Sequence, residues 1–393
     1  MKRLGALILL PLTLAGTIPG ARDSRDLTVH EWGTFTSVAG PAGQAVEWTP
    51  FSGPTDLPCF VTILNPTSIK TGPKGYLPMI KATVRMETPV IYFYSGREQT
   101  VNVGVRFPHG LITEWYPQGR VPPVPFGTPL AKMTGGITWN DVRISPLPRG
   151  SFPVEAGKSH YYAARDTDAS PVQVGSQSEK FLFYRGLASF PVPVTARVKQ
   201  DGTIAVENTG ADEIGLFVLF EKRGGRLGYR VVRGSQKQVP LERPALTSDF
   251  EYLRQDLQTA LIEQGLYPRE AAAMIETWRD SWFEEGTRLF YLIPRASVDA
   301  ILPLEIEPRP AEVVRVFVGR LEIITPEIQT EVERAVREND LSALRKRGRF
   351  LEPIARSLQA RFASGSDQAM MNAALQAVAA RPASEASRPF DSR

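Results

Sequence analysis

From residue 27 to about 245 the chain reads as short apolar runs punctuated by turns, a pattern that predicts strands. The runs are Thr83–Tyr94 (TVRMETPVIYFY), Thr100–Phe107, Gly110–Tyr116, Ile137–Ile144, Lys180–Arg185, Val194–Lys199, Ile204–Asn208, Ile214–Lys222 and Tyr229–Arg233. Ser95–Gln99 is a glycine-containing connection of hairpin length, and Asp201-Gly202 is a strong hairpin turn signal. Pro117–Pro129 holds five prolines, and a backbone so short of N–H donors cannot sit in a central strand. Short strands at this spacing predict a sandwich rather than βαβ units.

At Thr247 the period changes. Ser248 or Asp249 caps a predicted helix that carries Leu253, Leu257 and Leu261 toward Gly265. Pro268 suits the first turn of a second helix over Arg269–Glu285, on which Ala271, Ile275, Trp278 and Trp282 share one face. Trp278 and Trp282 are expected to dock that helix on the sheet. Strands return at Arg288–Pro294 and Val313–Ile324. Thr325-Pro326-Glu327 then supplies an N-cap, a first-turn proline and an acid near the positive end of a helix. Helices are predicted to about Phe362. The expected fold class is mainly β, sandwich-like and two-lobed, with helices in the second half and a helical C-terminal region. The expected divisions are a β-rich lobe over 27–175, a second sheet lobe over 176–324 with its helical segment at 247–286, C-terminal helices over 325–363 and a disordered tail over 381–393.

Composition changes this picture in one respect, the compartment. Lys2 and Arg3 precede the apolar run Leu4–Ile18, followed by the small residues Gly20 and Ala21, the layout of a signal peptide over residues 1–21. The run is too short to span a bilayer and is interrupted by Pro11, so no transmembrane segment is expected in the mature chain. A periplasmic or extracellular location follows. With 46 basic and 42 acidic residues the formal charge is +4, too small an excess to point to nucleic acid. Cys59 is the single cysteine, so no intramolecular disulfide forms, and Pro58-Cys59-Phe60-Val61 reads as a buried strand start.

The chain has three histidines, His30, His109 and His160, all in the β-rich half. Together with Glu31, Glu87 or Glu114 they are the candidate metal set, since three imidazoles and a carboxylate make a facial site. The competing reading is three unrelated edge or loop histidines. Glu31, Glu87 and Glu114 are also the candidates for paired acid–base chemistry. Trp32, Trp115, Tyr116 and Tyr161 are candidate binding rings, because sugars need an apolar face beside hydroxyl partners; filling a sandwich core is the competing role. Arg185 closes an apolar strand face, a position for a salt-bridged strand end or an anion clamp. The cluster Arg345-Lys346-Arg347-Gly348-Arg349 reads as a solvated face. There is no G-x-S-x-G, no GxGxxG after a strand, no Walker A sequence and no CxxC, which argues against nucleotide and flavin use and leaves the cofactor unknown.

The strings HEWGTFTSVAG (30–40), DLPCFV (56–61), RMETPVIYFYS (85–95), LITEWYP (111–117), YYAARDTDA (161–169), EKFLFYRG (179–186), TWRDSWFEEGTRLFYLIPR (277–295), LPLEI (302–306) and RVFVGRLE (315–322) together resemble a group of exported bacterial proteins with no established activity. The resemblance implies export and one integrated architecture and transfers no catalytic residue. The expected function is an exported binding protein for carbohydrate or an envelope polymer. The alternative is a secreted hydrolase, metal-dependent or not, using the histidines and carboxylates of the first lobe.

Overall fold

The structure is a computed structural model and describes residues 26–50, 57–64, 80–124, 127–147, 150–156, 159–234 and 237–379. The expected signal peptide over residues 1–21 and the expected disordered tail over 381–393 lie outside the described residues. Strand β1 (Thr28–Ala39) is the axis of the molecule, and eleven of its twelve residues are buried. It pairs in parallel with β17 (Glu312–Ile323) along its whole length and antiparallel with β3 (Val84–Tyr94). The nine-stranded sheet built on it runs β13 (Arg226–Arg233), β12 (Leu216–Arg223), β15 (Gly286–Ile293), β17, β1, β3, β9 (Leu182–Ala188), β5 (Gly110–Tyr116), β2 (Thr62–Ile63). Strands from both sides of residue 176 therefore share one sheet.

The first face of this sheet packs on two smaller sheets. One has the order β16 (Leu304–Glu307), β4 (Gln99–Pro108), β6 (Thr134–Ile144), β7 (Val172–Val174), β8 (Gln177–Glu179); the other is β10 (Val194–Val198), β11 (Ile204–Asn208), β14 (Gln238–Leu241). In β4 buried valines alternate with exposed positions, as a sheet wetted on one side requires. Val101, Val103 and Val105 meet Phe35, Ile91 and Phe317 in the largest core. A sandwich therefore forms because β4 and β6 have one apolar face each, whereas the central strands are buried on both.

The second face is covered by helices. Leu253, Leu257 and Leu261 of α1 (Phe250–Glu263) and Met274 and Ile275 of α2 (Pro268–Thr277) pack with Trp32, Tyr92, Phe183 and Val316. Asp249 caps α1, its side chain accepting the Glu251 N–H. The helix expected to reach Glu285 stops at Thr277 and resumes as the single turn α3 (Arg279–Trp282). A short α4 (Arg295–Ile301) follows β15. Farther along the same face lie α5 (Pro326–Arg337), α6 (Leu341–Arg345), α7 (Leu351–Ser357) and α8 (Gly365–Ala379), whose core encloses Val38 and Trp48. No helix among the described residues is long and apolar enough to cross a membrane.

Gly33 of β1 sits at a break in the β1–β3 register, and a Cβ there would lie 2.7 Å from the Phe317 ring and 3.1 Å from Pro89. Only glycine lets those strands approach. Cys59 is exposed in a turn, not buried at a strand start, because β2 begins only at Thr62 and the Cys59 N–H donates to Glu155 at 2.6 Å.

Candidate functional site

The three histidines sit in three different places. His30, on the helix-covered face, has Nδ1 2.7 Å from Glu270 Oε2 and is packed by the Tyr94 and Tyr267 rings. Tyr94 donates to the other Glu270 oxygen at 2.7 Å, so this carboxylate is already shared. His109 occupies the turn between β4 and β5 at φ +57°, with Nδ1 2.6 Å from the Ala131 carbonyl. His160 opens a 3-10 turn and places Nε2 2.5 Å from Asp280. Among the described residues no group of three or more His, Cys, Asp or Glu side chains is arranged to hold a metal ion. The expected trio with Glu31, Glu87 or Glu114 is not assembled, because alternation along β1 turns His30 toward the helices while His109 stays in its turn.

The expected sugar platform is likewise inside. Trp32, Trp115, Tyr116 and Tyr161 are all buried, and Tyr161 donates to Glu179 at 3.1 Å. These rings fill cores: Trp32, Trp115 and Tyr116 lie on strands buried on both sides, and Tyr161 lies on the 3-10 turn His160–Arg165, packed against Phe181 and Phe183.

The carboxylates are separated by the sheet. Glu31 lies on the sandwich face, while Glu87 and Glu114 lie on the helical face, and an arginine holds each. Glu31 Oε2 accepts from Arg315 Nε at 2.5 Å, and its other oxygen accepts from the Tyr184 hydroxyl. Burial, with Glu31 beside it, raises the Tyr184 phenol well above its ordinary range, so it remains a donor. Glu114 accepts from Arg85 Nη2 at 2.6 Å. Glu87 pairs with Arg349 and accepts from Thr36 at 2.8 Å. Burial pushes the Glu87 carboxyl up, but Arg349, Arg320, Thr36 and Arg85 outweigh it and hold the group below the usual carboxylate range. Arg349 is thus not on a solvated face as its basic neighbourhood implied, because its turn folds back over β3. Arg185 donates from Nε and Nη2 to Thr88 Oγ1, each at 3.2 Å.

The accessible feature next to one of these pairs is a cleft of about 750 Å³ on the sandwich side, between the edge of the five-stranded sheet and α4. Asn102 and Gly104 of β4, Thr138 and Asn140 of β6, Glu305 and Glu307 of β16, and Arg295 and Asp299 of α4 line it, with Arg315 at its floor. Asp299 accepts from Arg315 Nη1 at 2.7 Å and from Arg295 Nε at 2.8 Å. Burial opposes the charge on Arg315, but Glu31 and Asp299 overcome it and raise the pKa of the guanidinium. Its Nη2 is buried without a hydrogen-bond partner among the described residues. Three stretches far apart in sequence, 102–104, 138–140 and 295–315, build the cleft, so spacing gave no hint of Asn102, Asn140 or Asp299. Arg315 carried a signal, because an arginine inside VVRVFVGR must be paired where the strand is buried. Chemically the cleft offers amide, hydroxyl, guanidinium and carboxylate groups to a polar ligand, and among the described residues no aromatic ring lines it.

No protein-family model matches the chain, and no curated protein matches it in sequence.

Proposed function

We propose that the protein is an exported binding protein for a glycan or related envelope polymer that carries charged as well as hydroxyl groups. The cleft over Arg315 supports this reading. Its volume falls within the few hundred to 1,000 Å³ typical of ligand sites. Its lining presents both charge signs with asparagine amides, which suits recognition of vicinal hydroxyls, carboxylates and amino groups by hydrogen bonds rather than by ring stacking. The hydrolase alternative has less support, because an acid–base pair needs two carboxylates with divergent pKa values on one side of a scissile bond. Here Glu31 faces away from Glu87 and Glu114, and each is engaged by arginine.

Calorimetric titration of the purified mature protein with neutral, uronate-containing and amino-sugar-containing oligosaccharides tests the reading. A Cβ at Gly104 would meet only Thr138 Cγ2, at 3.8 Å, so Gly104→Tyr fills the cleft without disturbing the strand. The expected result is saturable binding to a charged oligosaccharide that weakens about tenfold or more in Gly104→Tyr. Absence of binding across the panel, or binding untouched by Gly104→Tyr, would sink it. Release of reducing ends would favour the hydrolase.

A further inference from the structure

On the helical face, opposite the cleft, several of the strings noted in the sequence meet. Thr34 and Thr36 come from HEWGTFT, Glu87 and Thr88 from RMETPV, Arg288 from FEEGTRLFY, and Arg320 and Glu322 from RVFVGRLE. All seven are at most 5% exposed. The strands are irregular at this level. The β1–β3 pairing shifts at Gly33, the β3–β9 pairing between Met86 and Val90, and the β5–β9 pairing at Thr113. Bulges of this kind re-aim side chains and concentrate beside functional sites. Thr88 stands at φ +45°, a left-handed conformation that a β-branched residue rarely adopts, and it is held there by the two Arg185 bonds.

Arg320 is at the centre. It is fully buried, directly opposite Thr36 in the β1–β17 register. Its Nη2 donates to Glu284 at 2.8 Å and Glu322 at 3.4 Å and its guanidinium lies over the Phe350 ring at 4.8 Å, but Nε and Nη1 have no hydrogen-bond partner among the described residues. Thr34 Oγ1 and the indole N–H groups of Trp278 and Trp282, on the same face, are also buried without partners. Arg288 is already committed to Glu322 and to the Trp282, Glu284 and Glu285 carbonyls. Burial, followed by repulsion from Arg288, pulls the Arg320 pKa down to about 10. Buried guanidinium donors left without hydrogen bonds call for an acceptor, best one that carries negative charge. The cluster reaches solvent at Glu284 and Arg349, whose side chains are 29% and 20% exposed, at the seam between α3 and the Gly348–Phe350 turn.

We infer that this seam is a second ligand site, one that takes an oxyanion group such as phosphate, sulfate or carboxylate on Arg320 Nε and Nη1, with Thr34 as an additional donor. The site is separate from the cleft over Arg315 and does not depend on the function proposed for that cleft.

The test is thermal unfolding and calorimetry of the full mature protein with inorganic phosphate, sulfate and glucose 6-phosphate, against chloride at matched ionic strength. The expected result is saturable stabilisation by phosphate or sulfate beyond that of chloride. Arg320→Lys keeps the charge but lacks the planar fork, and is expected to weaken binding about tenfold or more. Thr34→Val, nearly isosteric, gives a folded second variant with a smaller loss, and Gly104→Tyr should bind the anion as the wild type does. Tighter binding of the sugar phosphate identifies a glycan-borne group, and equal binding a free ion. Stabilisation that tracks ionic strength alone, or is unchanged in both Arg320→Lys and Thr34→Val, overturns the inference.

Discussion

Gly319 lies under the face of Tyr291, where an added Cβ would be 2.1 Å from Cζ. The ring is 2% exposed and packed in the sandwich core, so it has nowhere to retreat. Gly319→Ala should therefore cost about 1–3 kcal/mol or more in urea melts, the range for overpacking a filled site. The Arg315–Glu31 pair sets a different test. Arg315→Met strands a buried carboxylate and should cost about 3–5 kcal/mol, whereas adding Glu31→Gln should recover part of that loss, because the pair's removal leaves no uncompensated charge. A double-mutant cycle that adds without coupling would contradict the buried pairing. Glu87 gives a pH test. Its folded pKa is depressed, so its pairing contributes stability that is full above the ordinary carboxylate value of 4.5 and is lost as pH falls through the lower folded value. Glu87→Gln should flatten the acid limb of stability from about pH 4.5 down to the folded value. At this scale the sequence was half legible. Charged residues inside apolar runs were visible in Glu31, Glu87 and Arg185, but which arginine each carboxylate would meet depended on register and on turns hundreds of residues away.

The stripe Ala271, Ile275, Trp278, Trp282 is buried as its helical spacing predicts, although the helix itself breaks. Trp278 stands at φ −105°, ψ 3°, and Thr277 Oγ1 donates back to the Ala273 carbonyl at 2.7 Å, loosening the final turn. The one-turn α3 then restores Trp282 to the sheet. Trp278→Ala should cost about 3–5 kcal/mol in denaturant melts; a loss below about 1 kcal/mol would mean that this face contributes little to the core. Element prediction was best where the apolar run was long. Gly110–Tyr116 and Ile204–Asn208 carry the predicted bounds, and β3 begins one residue later than expected. It failed for β7, β8, β14 and β16, strands of three or four residues at or near sheet edges, and for α8, whose alanine-rich sequence carries no clear apolar stripe.

At the scale of the whole molecule the C-terminal helices are part of the fold rather than an appendage. Trp48, fully buried, stacks on Phe350 at 5.5 Å, Arg356 donates to the Glu47 carbonyl at 2.6 Å, and Arg349 closes on Glu87. A chain ending at Ile324 should therefore show a red-shifted tryptophan emission and a lower melting temperature than the full mature chain. The leader reading is checked by mass spectrometry, with the mature N-terminus expected between residues 16 and 26. Mainly β architecture with late helices was legible because it follows from local period, but the merging of both predicted lobes into one sheet was not, since no local pattern announces that β1 and β17 are neighbours. That neighbourhood has a kinetic cost. During synthesis β1 emerges 284 residues ahead of the strand it pairs with in parallel, so one of its hydrogen-bonding edges stays open while nearly the whole remaining chain is made. Antiparallel pairing with β3 can begin early, but the other edge is a template for a second molecule until residue 323 arrives. Refolding from denaturant should accordingly be slow and its yield should fall as protein concentration rises, with light scattering reporting the loss.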